Sequence, residues 1–253
     1  MKLPRRCFIS HAYADAIRRD RLIASLPPDV EPVTFPPIVV PPDELVSSAL
    51  LETLSSCDGL VYLDGGPSDD SFWVAFERDY ALRAGKAVFA ADSQGRLTTH
   101  VGRALDLATF ASYHRQDRER VRAIGAFLRD ERHFDLWIDV DDLAAGDDFA
   151  RTIETSIHER LARGGYVIVF WSRATRESRF VENEIQRAVQ GMPGGNDRVL
   201  FARLDDTPLR AFWAGQDHGV QMFGDTERGE KNRWDDLVVR LYWLIYRKTK
   251  RAS

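Results

Sequence analysis

A chain of 253 residues has room for one large domain or two of ordinary size, and its 44% hydrophobic and 29% charged content is that of a globular protein with a full core. A formal charge of -4 excludes a global attraction to nucleic acid, and the basic tail Arg247-Lys248-Lys250-Arg251 reads as a solvated helix end. The start, Met1 to Arg6, has no apolar core of a signal sequence, and the runs Tyr166 to Trp171 and Leu237 to Tyr246 are too short or interrupted to span a bilayer. A cytoplasmic protein without nucleic-acid or membrane partners is expected. Cys7 and Cys57 each sit beside an apolar run, as small core hydrophobes do, and nothing is spaced around them as metal ligands.

In chain order, Cys7 to Ser10 reads as a buried strand, and Ala14 to Leu26 as a helix closed by Pro27-Pro28. Val33 to Phe35 reads as a second strand, followed by the proline-rich turn Pro36 to Pro42 and a helix from Asp43 through Ser56. Gly59 to Leu63 is a third strand ending at Asp64-Gly65-Gly66. A helix follows, stopped by Gly85 before the strand Ala87 to Ala90. Strand and helix in alternation predict a parallel sheet with helices on both faces. Asp92 to Asp106 reads as a linker, with Val101 to Leu107 as a candidate helix.

From about Ala108 the order begins again. Thr109 to Ser112 is a strand, Arg118 to Arg129 a helix, Leu136 to Val140 a strand and Asp141 to Asp148 an acidic loop. A helix over Ala150 to Ala162, a strand over Tyr166 to Phe170 and another over Val199 to Phe201 follow. The last helix, Trp234 to Arg247, is too aromatic to be solvated all round and is expected to pack on the second half or between the halves. The opening strands align, Phe8 to Asp15 against Phe110 to Asp117, so two related α/β domains in tandem, residues 1–104 and 105–253, are expected.

One element occurs in both halves. Ser71-Phe72-Trp73-Val74-Ala75-Phe76-Glu77 and Ser178-Arg179-Phe180-Val181-Glu182-Asn183-Glu184 share Ser-x-aromatic-Val-x-x-Glu, each after an apolar strand and at the start of a helix. Aromatic and Glu are four apart, so they lie on one helix face, and in the first copy Trp73, Glu77, Tyr80 and Ala84 form a core-like stripe with a carboxylate set into it. An acid in a first helical turn is ordinarily a solvated residue favoured by the helix dipole. The duplicated spacing favours a functional role for Glu77 and Glu184, whereas Glu182 points to the other side of its helix.

The second half carries Phe110-Ala111-Ser112-Tyr113-His114-Arg115, then Trp137-Ile138-Asp139-Val140-Asp141-Asp142-Leu143-Ala144-Ala145-Gly146, then Ser172 and the Glu184 element. Over about Leu107 to Asp206 this combination resembles a Toll/interleukin-1 receptor (TIR) domain, with Asp-x-x-x-Leu-x-x-Gly similar to the family's BB loop. The first half resembles it in Phe8-Ile9-Ser10 and the Glu77 element but has Phe35 to Pro42 in place of that loop. It also resembles nucleoside 2-deoxyribosyltransferases in Cys57 to Gly66 and in Glu77-x-x-Tyr80-Ala81-x-x-x-Gly85-Lys86. The TIR resemblance implies flavodoxin-like parallel-sheet domains and an enzyme that consumes NAD, with no further cofactor and no metal. The Glu would stand beside the ribose while nicotinamide leaves, giving ADP-ribose or a cyclic ADP-ribose messenger for a separate effector, as in bacterial antiviral signalling.

The resemblance implies substrate-binding roles for Ser112, Tyr113, His114, Arg115, Asp139, Phe149 and Phe180 around Glu184, and for Ser10, His11 and Trp73 around Glu77. Arg115 would serve a phosphate or be a plain surface residue, and His11 would face the substrate or be a satisfied strand-end histidine. It also implies that a BB loop docked near a neighbouring pocket completes a site, so that the halves face each other or stack, with one Glu dominant. Two alternatives remain: a non-catalytic scaffold acting by self-association through TIR surfaces, and a transferase-like nucleosidase.

Overall fold

The computed structural model describes residues 2–35, 46–105, 109–138, 165–178, 198–210, 219–224 and 226–252. The chain divides into two compact units, Met1–Leu105 and Asp106–Ser253.

In the first unit β1 (Arg6–Ser10), α1 (Ala16–Ser25), β2 (Glu31–Val33), α2 (Val46–Ser55), β3 (Gly59–Leu63), α3 (Phe72–Arg83), β4 (Ala87–Ala91) and β5 (Leu97–Thr99) follow in order. The sheet runs β2-β1-β3-β4-β5. Its β1, β2, β3 and β4 are parallel, so their side chains meet helices on both faces, and β3 is buried at every position. Cys7, Ile9, Val61, Leu63, Phe89 and Ala91 pack with Leu22 on the α1 side. The alternate positions, Phe8, Ser10, Leu60, Tyr62 and Val88, turn to the other face, where α3 lies against β1, β3 and β4.

Three expectations are corrected here. The segment from Asp92, read as a linker, supplies the fifth strand, which pairs antiparallel with β4, so this sheet is not wholly parallel. The Asp92 carboxylate accepts from the amides of Gln94 (2.8 Å) and Arg96 (2.9 Å), and Gly95 at φ 77° completes the hairpin turn. Residues 101–105 are not helical, and 106–108 lie outside the described residues. The second strand is also displaced, to Glu31–Val33 from the expected Val33 to Phe35.

The second unit contains β6 (Thr109–Ser112), α4 (Arg118–Arg132), β7 (Trp137–Ile138), β8 (Tyr166–Trp171), α5 (Arg173–Glu177), β9 (Val199–Arg203), β10 (Gly219–Gln221) and α6 (Glu227–Ala252). Its order, β7-β6-β8-β9-β10, is that of the first sheet, with every pairing parallel. Both have the 2-1-3-4-5 order of flavodoxin-like folds. The last helix begins earlier than the sequence implied and packs on α4 and β10 of its own unit. Arg132 of α4 donates to both carboxylate oxygens of the buried Asp235 at 2.6 and 3.1 Å, which fixes the helix pair in one register.

The same lock closes both units at the C-terminal end of the first strand. A 3-10 turn, Tyr13–Asp15, carries the buried Asp15, whose Oδ2 accepts from Ser68 Oγ (2.5 Å) and the Ser68 amide (2.9 Å). Ser68 Oγ in turn accepts from the Ala12 amide at 3.1 Å. Arg18 bridges Asp15 Oδ1 (3.2 Å) to the carbonyls of Gly65 (2.6 Å) and Asp64 (2.7 Å). In the second unit the turn Arg115–Asp117 carries Asp117, which accepts from Ser172 Oγ at 2.6 Å. Burial alone would raise the Asp15 carboxyl, but the Ser68 and Arg18 hydrogen bonds outweigh it and hold it below the usual range. Asp15→Ala strands the Ser68 and Arg18 donors and is expected to cost the first unit about 3 kcal/mol in urea unfolding. A loss below about 1 kcal/mol would show that the lock is replaceable.

Candidate functional site

Helix α3 begins where Ser71, at φ -83° and ψ 122°, accepts from the Val74 amide at 3.4 Å. One turn further on, Glu77 faces the sheet and is 6% exposed. Its Oε2 accepts from Ser10 Oγ, at the end of β1, at 2.5 Å. Ser10 is itself buried. No basic side chain among the described residues acts on Glu77, so burial dominates and the carboxyl is pushed up to about 8, against a smaller pull from the Ser10 hydroxyl. A carboxyl so placed keeps its proton to a higher pH than one in water.

A cavity of about 290 Å³ opens in front of it, bounded by Phe8, His11, Phe35, Leu50, Trp73 and Glu77. It lies at the C-terminal end of β1, beside the strand-order reversal where open α/β sheets bind ligands. The volume is at the lower limit of ligand pockets and suits one ring and its sugar better than a dinucleotide. Trp73 is not part of a core stripe as the sequence pattern implied. It is 39% exposed at the mouth, resting edge-on against Phe72 and Phe76 with ring centroids 5.0 and 6.2 Å away. Only Tyr80 of that stripe is core, its hydroxyl 2.9 Å from Ser55 Oγ.

His11 is held at both ring nitrogens, Nδ1 lying 3.2 Å from the Ile9 carbonyl and Nε2 3.0 Å from Arg19 Nη1. Those partners require a neutral ring that donates from Nδ1 and accepts at Nε2. Burial, more than the nearby Arg19 charge, moves its titration below the ordinary value of 6.5, while the Ile9 carbonyl opposes this. His11 is therefore a satisfied strand-end histidine that also walls the cavity.

The other expected residues are less completely placed. Ser112 is the last residue of β6, and Tyr113, His114 and Arg115 follow it, where His114 accepts from the Gln116 amide at 3.3 Å and Arg115 is exposed. Glu184, Phe180, Asp139 and Phe149 lie outside the described residues, as do the Asp139 to Gly146 loop and residues 36–42. The structure thus brings His11, Trp73 and Glu77 to one cavity, with the buried Ser10 hydrogen-bonded to Glu77. It adds Phe8, Phe35 and Leu50 as walls, which the sequence marked only as apolar positions. Among the described residues, no group of His, Cys, Asp and Glu is placed to hold a metal ion, and no helix is long and apolar enough to cross a membrane.

Residues 110–238 match the family model described as a TIR domain. The chain belongs to the TIR domain family. The match begins within β6 and ends inside α6, so the TIR segment is the body of the second unit. A comparison with curated proteins returns no match.

The raised Glu77 carboxyl has a consequence for stability. Its proton is held more tightly in the folded chain than at the ordinary 4.5 of an unfolded one, so folding is favoured below that value and the advantage is lost as pH rises toward about 8. The slope is about 1.4 kcal/mol per pH unit. Glu77→Gln cannot ionise, so thermal unfolding should show the variant gaining on the wild type steadily from about pH 5 to about pH 8. Parallel melting curves at all pH values would contradict the placement of Glu77.

Proposed function

We propose that this TIR protein is an NAD-consuming enzyme that cleaves the bond between nicotinamide and ribose. The observation that carries the reading is Glu77, a buried carboxyl without a basic partner among the described residues, in an aromatic-walled cavity at the C-terminal edge of the sheet. Nicotinamide leaves as a neutral molecule, so the reaction needs no strong general acid. It needs negative charge beside a developing oxocarbenium ion, which a carboxylate in a low-dielectric pocket supplies. Ser10 holds that carboxylate on the side facing β1, and Trp73 offers a flat surface for the departing ring.

Water then captures the ribosyl cation, so that NAD and water give ADP-ribose, nicotinamide and a proton. Capture by a nitrogen of the adenine ring gives a cyclic ADP-ribose isomer instead. Such a product would act as a messenger to a separate effector in bacterial antiviral signalling, in the cytoplasm. On this reading the first unit is a diverged TIR domain, supported by its strand order and by the Asp15–Ser68 lock that corresponds to Asp117–Ser172. Glu184, with Phe180, Ser112, Tyr113, His114, Arg115, Asp139 and Phe149, would form the companion site. The Asp139 to Gly146 loop would provide a surface for self-association.

Chromatography of the purified chain incubated with NAD is expected to show nicotinamide and an ADP-ribose product. Glu77→Gln should lower the rate about a hundredfold, the scale of losing one transition-state charge contact. If no nicotinamide forms, even under crowding, the enzymatic reading fails. The cavity of about 290 Å³ also favours a second reading, a nucleosidase related to the deoxyribosyltransferases, because a nucleoside fills it without the rest of a dinucleotide. That reading predicts free base from nucleosides and none from NAD.

A further inference from the structure

Buried carboxylates in proteins ordinarily stand against arginine, lysine or a metal, because an isolated charge taken out of water is costly. In the first unit Asp15 has Arg18, at 3.2 Å. Glu77 has a hydroxyl. The cavity it borders is lined largely by Phe8, Phe35, Leu50 and Trp73, with His11, Tyr13 and Ser71 as its other polar side chains among the described residues, and is large enough for a ring. Aromatic faces attract a cation and offer nothing to an anion. A buried carboxyl with no basic partner among the described residues, beside aromatic walls, suits a flat ring with a fixed positive charge.

We propose that the Glu77 pocket is a proton-for-cation exchanger: empty, it holds a proton on Glu77, and entry of a permanently cationic aromatic ring expels that proton to solvent. In balance, the protonated carboxyl and the cationic ring give the carboxylate–cation pair and one free proton, so net charge in the pocket is unchanged. The pocket thereby discriminates by charge, since a neutral ring of the same shape leaves the proton in place. Uptake of the cationic ring is favoured by rising pH and opposed by acidification. The inference deepens the proposed NAD reading and rests on it for the choice of a pyridinium ring.

The neighbouring titratable groups do not compete. On β1 and the turn after it, His11 is neutral and engaged by Ile9 and Arg19, while Asp15 is locked by Ser68 and Arg18. The Tyr13 phenol is at the mouth and 70% exposed. On α3, Arg78 is turned onto the ring of Tyr62, 5.2 Å from its centroid, and Asp79 pairs with Arg83. On α2 Ser47 and Ser48 are buried and uncharged, and Glu52 is exposed. Asp43 and Glu44 lie outside the described residues.

The test uses the full chain and two rings without a glycosidic bond: 1-methylnicotinamide, permanently cationic, and nicotinamide, neutral. Tryptophan quenching and calorimetry read the binding. With the carboxyl titrating at about 8, affinity for the cationic ring should rise about thirtyfold between pH 6.5 and pH 9, while that for nicotinamide does not rise. Calorimetry in buffers of different ionisation enthalpy should count about 0.9 proton released per cationic ring at pH 7 and none for nicotinamide. Glu77→Gln should abolish both the pH slope and the proton release, which assigns the effect to this pocket. A slope below about threefold, or a parallel gain for nicotinamide, overturns the exchange. Because neither ring can be cleaved, that failure leaves NAD cleavage standing, and absent NAD cleavage leaves the exchange standing.

Discussion

A carboxyl removed from water with one hydroxyl to hold it is the constraint from which the first unit is best understood. The Ser10–Glu77 contact joins the end of β1 to the second turn of α3, residues 67 apart in sequence, and it exists only if both elements are fixed independently of it. The sheet fixes β1, with Ser10 level with Tyr62 on β3. The Ser71 cap fixes where α3 starts, and hence which of its residues faces the sheet. The Asp15, Ser68 and Arg18 lock then ties the chain leaving β1 to the turn leaving β3, so that the cavity floor cannot spread. Ionised Glu77 is a liability to folding, which is the usual mark of a group retained for chemistry.

The second unit repeats the scaffold with different emphasis. Its strand order is the same, and Asp117 and Ser172 reproduce the hydrogen bond between first-strand turn and third-strand end at 2.6 Å. Here Ser172 also caps a helix, accepting from the Thr175 amide at 3.2 Å, whereas Ser68 sits inside a 3-10 turn. The fifth strands differ most. β5 returns antiparallel through a tight hairpin, while β10 is parallel and packed against the long α6, which has no counterpart among the described residues of the first unit. The family match falls on the second unit, and the described cavity belongs to the first.

Much of this architecture was legible because buried parallel strands leave continuous apolar runs. Gly59 to Leu63 and Thr109 to Ser112 are strands with the boundaries the sequence implied, and Tyr166 to Phe170 extends only to Trp171. The start of the Glu77 element was legible because a Ser after an apolar strand, followed by aromatic and Glu at helical spacing, marks a capped helix. What escaped had a physical reason. β5 is short, polar and at an edge, so Leu97-Thr98-Thr99 shows no hydrophobic run, and its turn is closed by Asp92 rather than by a signature dipeptide. Phe35 and Leu50 looked like ordinary core positions, since an apolar side chain facing a cavity has the same periodicity as one facing another side chain. Trp73 shares a helix face with Tyr80, but it stands in the first turn of α3, where it is 39% exposed and borders the cavity.

The central claim is that Glu77 carries a proton in the empty protein at neutral pH. Infrared difference spectra between the wild type and Glu77→Gln, recorded across a pH series, observe that proton directly through the carbonyl stretch of a protonated carboxyl. The account predicts a single such band, present at pH 7, shifted by its buried hydrogen bond to Ser10 and fading to the carboxylate signal around pH 8. A carboxylate signal already complete at about pH 6 would contradict it, because burial would then not govern the titration of Glu77.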